Sequence, residues 1–78
     1  MEERVLVAAI AQVDAGATKV NLYRANIGDA GATQLADALR GNATVTTMYL
    51  VRNQIGNEGA SALADMLREN ETVTQMNL

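Results

Sequence analysis

Apolar and polar positions alternate in three short stretches of the chain. Val20-Asn21-Leu22-Tyr23, Met48-Tyr49-Leu50-Val51 and Met76-Asn77-Leu78 each place apolar residues two apart. Residues two apart share one face of a strand, so the pattern predicts three strands with one buried face. Between the strands the apolar period lengthens to that of a helix. Leu35, Ala36 and Leu39 form one stripe if residues 30–40 are helical, and Leu63, Ala64 and Leu67 repeat that stripe within residues 58–68. Gly28 and Gly56 stand where the backbone must turn from strand to helix. Gly41 stands near the end of the first of these helices, where glycine favours a left-handed cap. Residues 2–13 predict one more helix. Val5, Leu6, Val7, Ala8, Ala9, Ile10, Ala11 and Val13 make it apolar nearly all round, which predicts burial on more than one side.

The same pattern returns after 28 residues. Residues 20–50 and 48–78 are identical at 17 of 31 paired positions. Leu22, Leu50 and Leu78 coincide, as do Ile27 with Ile55, Gly31 with Gly59, and Asn42 with Asn70. Leu35-Ala36-Asp37 matches Leu63-Ala64-Asp65, and Thr44-Val45-Thr46 matches Thr72-Val73-Thr74. Identity at one fixed spacing predicts stacked repeats, each of one strand and one helix. Strands joined through helices of this length imply a parallel sheet and an α/β fold. The division expected is a single domain over 1–78. It comprises a diverged N-terminal helical half-repeat at 1–16, repeats at 17–44 and 45–72, and a strand-only partial repeat at 73–78.

Composition narrows the chemistry. With 78 residues the core is small, and the chain has neither Cys nor His. Disulfides and thiolate metal sites are excluded, and so are the commonest metal ligand and the commonest general base. No nucleophile and base stand together, so no catalytic site, metal or cofactor is expected. Asp37 and Asp65 recur identically and read as solvated helix groups, whereas a catalytic pair needs two different environments. Arg40 and Arg68 lie near helix C-termini, where the dipole favours cations. Gly28, Gly31, Gly56 and Gly59 do not have the spacing of a phosphate-binding loop. Nine Asp and Glu against six Lys and Arg, with no basic run, argue against nucleic acid. No apolar run is long enough to span a bilayer. Val5 to Ala11 followed by Ala15-Gly16-Ala17 imitates a signal peptide, but Glu2 and Glu3 oppose the positive start such a segment needs. A reducing, cytoplasmic setting is the expectation.

Val45, Met48, Leu50, Asn53 and Ile55 fill, in order, the places of the leucine-rich-repeat pattern, and residues 17–78 resemble its ribonuclease-inhibitor-like class. The helical run Ile-Gly-x-x-Gly-Ala-x-x-Leu-Ala-Asp-x-Leu-Arg is similar to that class in both full units. A looser resemblance is to the repeat domain of tropomodulin-like actin-capping proteins. The resemblance implies a solenoid with parallel strands on the concave face, helices on the convex face, and a protein partner on the concave side. It also implies that the ninth-place Asn satisfies loop backbone between turns. The first unit departs here, with Ala25 in that place and Asn26 shifted by one, which leaves Asn53 alone in that role, so a looser or water-bridged first turn is expected.

If Met48 and Leu50 face inward, Thr47, Tyr49 and Val51 face outward, with Lys19, Asn21, Tyr23 and Arg24 on the first strand and Gln75 and Asn77 on the third. Both aromatic residues of the chain fall on this face, and Tyr and Arg are enriched among binding hot spots. A protein-interaction module is therefore the leading expectation. The alternatives are a self-assembling protein, or an excised or engineered piece of a longer array. Val5, Leu6 and Ile10 at one end and Met76 and Leu78 at the other are the expected self-association surfaces, with a homodimer ahead of head-to-tail stacking.

Overall fold

Three helices and three strands alternate along the chain in a computed structural model that describes residues 3–78, with side chains from residue 5 onward. They are α1 (Glu3–Asp14), β1 (Lys19–Asn21), α2 (Gly28–Leu39), β2 (Thr47–Tyr49), α3 (Asn57–Glu69) and β3 (Gln75–Asn77). Residue 2 of the expected first helix lies outside the described residues. The strands form one parallel sheet in the order β1-β2-β3. Its register is the 28-residue offset itself: Val20 pairs with Met48, and Met48 with Met76.

The sheet and the helices make two layers with the core between them. Val20, Leu22, Met48 and Leu50 meet Leu35, Ala36, Leu39, Leu63 and Met66 there, all buried. α2 lies in the middle, packed on α1 at one side and α3 at the other. In α1 the spacing of Leu6, Ala9 and Val13 puts three buried residues on one stripe.

Three expectations are corrected by this arrangement. The apolar girdle of α1 is not buried all round: Val7 is 65% exposed, and Val5, Ala8 and Ala11 are exposed as well. The stripes of α2 and α3 are not equivalent. α2 buries Ala36 and Leu39, but at the matching positions of α3 Ala64 is exposed and Leu67 is 39% exposed, while Met66 is buried instead. The reason is that α2 has a helix on each side and α3 has only α2. Finally, Gly41 does not take a left-handed φ. That bend is held by Asn42, whose carboxamide oxygen accepts the amides of Thr44 and Val45 and whose nitrogen donates to the Val13 carbonyl.

The two strand-to-helix turns also differ. Gly28 has φ +62°, which only glycine adopts without strain, and its amide donates to the Asn53 carbonyl. Gly56 is extended, and its amide donates to Asp29 Oδ1 at 2.6 Å. The same oxygen accepts from Gly59 at 3.1 Å. Gly56 has no side chain to cap α3, so the carboxylate arrives from the preceding helix, in the role an N-cap side chain plays for about 1 kcal/mol. The approach is close. A Cβ on Gly59 would stand 2.7 Å from Asp29 Oδ1 and 2.8 Å from Ile55 Cγ2, which explains a glycine inside a helix.

Candidate interaction surface

The face of the sheet turned away from the helices is built from the alternate residues of each strand. Asn21 and Asn77 flank Tyr49 in register, and Lys19 and Gln75 flank Thr47. Lys19, Asn21, Tyr23, Arg24 and Gln75 are exposed, and Tyr49, Val51 and Asn77 are half-buried. Thr47 is the exception. It was expected to face outward, yet it is only 7% exposed, because a short side chain on the middle strand is shaded by its neighbours. The guanidinium of Arg24 sits 5.8 Å from the centre of the Tyr23 ring, a cation–π contact that orients both groups.

Of the residues expected to mediate self-association, Leu6 is 2% exposed and belongs to the core, so it offers no surface. Its place on the buried stripe of α1 is the cause. Ile10 and Met76 are half-buried. Val5 and Leu78 are exposed, at 39% and 63%. Leu78 borders a hollow of about 210 Å³ with Leu50, Ile55 and Ala60.

β1 leads into a loop whose backbone is fixed from the neighbouring turn. Asn53 is buried and reaches back: its nitrogen donates to the Leu22 carbonyl at 2.6 Å, and its oxygen accepts the Ile27 amide at 3.4 Å. The first turn, expected to be loose for want of its own Asn, is therefore satisfied by the Asn of the next unit. Asn70 does the equivalent work at the helix-to-strand bends, donating to the carbonyls of Leu39 and Asn42 and accepting from Thr72 and Val73. Asn42 and Asn70 coincide in the 28-residue alignment, which was the available signal for this role.

A family model described as a leucine-rich repeat matches residues 41–64, the stretch that contains β2, Asn53 and the start of α3. The fold is that of a leucine-rich repeat. Among solved structures it is similar to one titled "Leiomodin-1 Actin-Binding Site 2 (ABS2)", with 27% sequence identity and a TM-score of 0.81. That leucine-rich-repeat likeness covers 91% of this chain, which spans 43% of the length of the solved one. A search of curated proteins returned no match. None of the helices described is long and apolar enough to cross a membrane.

Four residues of the loops were not picked out together from the sequence, and the repeat could have shown them. Arg24, Asn26, Arg52 and Gln54 have φ of 55°, 55°, 62° and 56°. Left-handed backbone at non-glycine residues costs on the order of 1 kcal/mol each, less for Asn, and persists only where the surroundings impose it. Here the Leu22 carbonyl and Ile27 amide on one side, and the Arg24 amide bonded to Val51 on the other, tie the first loop to the second. The four residues line one shallow groove of about 450 Å³ beside the outer sheet face. Arg52 stands 28 residues after Arg24 and extends the candidate face by one cation.

Proposed function

We propose that this chain is a protein-binding module whose partner lies across the concave, strand side of the repeats. One observation carries the reading: Tyr23 and Tyr49, the only aromatic residues of the chain, both lie on that face, in company with Arg24. Amphipathic rings on a rigid sheet present large contact area at small entropic cost. The likeness to a structure titled as an actin-binding site supports a protein partner and makes purified actin the first one to assay. The role is binding and not catalysis, in keeping with a chain that has neither His nor Cys. A fold held without disulfides suits a reducing, cytoplasmic compartment.

The test is quantitative. For any protein partner captured by the chain and then purified, Tyr49→Ala is expected to weaken binding by about 1–2 kcal/mol, and Tyr23→Ala with Tyr49→Ala by more. Titration calorimetry measures both. An affinity that survives the double change would overturn the assignment of this face.

A second reading is self-association, favoured by the outer edge of β3 and the exposed Leu67 and Leu78 on the same end of the repeats. A symmetric pairing of β3 edges would give a closed homodimer, and head-to-tail stacking an open assembly. Leu78→Asp is expected to dissociate either one, read by sedimentation equilibrium at concentrations on the order of 10 μM, a range that detects weak association. A monomeric parent chain under those conditions ends this second reading.

A further inference from the structure

Cations are distributed unequally over the molecule. On the helical side Arg40 pairs with Asp37 and Glu69, and Arg68 pairs with Asp65. Arg24 and Arg52 make no ion pair among the described residues, and neither does Lys19 at the other end of the same face. The two arginines occupy equivalent places in consecutive turns with the same left-handed backbone, and both line the groove that Asn26 and Gln54 complete. No carboxylate lines it. The groove therefore carries two like charges from adjacent turns without a counter-charge among its lining residues. An incoming anion relieves that repulsion, and a planar guanidinium grips a carboxylate through two parallel hydrogen bonds.

We infer that the Arg24–Arg52 groove receives two carboxylates of an acidic, extended protein segment, with Asn26 and Gln54 bonding its backbone. This rests on the reading of the strand side as the binding face and names the chemistry that face selects. An acidic protein segment is favoured over a nucleic-acid strand by charge. The chain is acidic overall, at −3, and its unpaired cations are too few to neutralise a run of phosphates. A short peptide needs only the local pair.

The left-handed φ offers a clean substitution. Asn adopts that conformation more readily than Arg, so Arg24→Asn with Arg52→Asn removes both charges and keeps the loops. Fluorescein-labelled octaglutamate is titrated by anisotropy at about 0.05 M salt, where surface charges are less screened than in the cell. Binding by the parent chain is expected, weakened about tenfold or more in the double Asn variant and only partly restored in Arg24→Lys with Arg52→Lys, which returns the charge but not the two-pronged grip. Circular dichroism of the Asn variant should match the parent. The inference is overturned if octaglutamate does not bind, if the Asn variant binds it equally well, or if labelled octathymidylate binds more tightly. Those failures leave the binding face itself standing if a protein partner is still lost on changing Tyr23 and Tyr49; that face fails separately, when the tyrosine changes have no effect.

Discussion

Replacing Leu39 by Ala is expected to cost about 3–5 kcal/mol, whereas Leu67→Ala, at the matching position one repeat later, should cost about 1 kcal/mol or less. Leu39 is fully buried in α2, between α1, α3 and the sheet, and its loss leaves a cavity that neighbours on all sides hold open. Leu67 is 39% exposed, so part of its side chain gains nothing from the fold. The larger loss is severe for a chain of 78 residues, whose total stability by size is about 4–12 kcal/mol. Urea unfolding followed by circular dichroism measures both variants. The midpoint should fall steeply for the first and little for the second. Equal losses would mean that the periodic pattern, and not the packing seen here, describes the surroundings of α3.

Asn53→Ala should be the most damaging truncation of a polar side chain, at about 2–4 kcal/mol. The side chain is 2% exposed and serves the carbonyls of Leu22 and Val51 and the amide of Ile27. Truncation leaves these groups in the protein without a partner, and each buried orphan costs about 1–3 kcal/mol. Asn53→Asp is expected to cost at least as much. It keeps an acceptor for Ile27 but turns the donor into a second acceptor facing two carbonyl oxygens. Asn26→Ala, on an exposed side chain, serves as the comparison and should cost under about 1 kcal/mol. Thermal unfolding of the three variants ranks them, and an Asn53→Ala variant as stable as the parent would contradict the bonding described.

The contrast between Leu39 and Leu67 shows how far the sequence could be read. The 28-residue period carries strand, turn and helix because those depend on local residue types that recur. Leu22, Leu50 and Leu78 coincide in sequence, and the strands before them pair in the same register. What stands on either side of a repeat is not periodic in a short array. Ala64 therefore differs from Ala36, and the all-apolar α1 keeps an exposed face. The burial of Thr47 has a related cause: alternation tells which face a side chain takes, not whether neighbouring strands shade it. Asp29 was invisible because its counterpart in the next unit is Asn57, and a cap delivered from another helix leaves no local motif. Arg52 is legible in the sequence, at the same offset from Arg24 as the pairs that define the repeat.

The bonds between units run in both directions. Asp29 reaches forward to hold the start of α3, while Asn53 and Asn70 reach back to the turn and bend before them. Opening either unit would strip partners from the other, so neither can fray alone at the cost of its own contacts only. A nearest-neighbour chain of this kind has a large coupling term relative to the intrinsic stability of each link. The two repeats then open as one cooperative unit, and slow amide exchange should reach from the Ile27 turn to the bend at Asn70 with nearly one free energy.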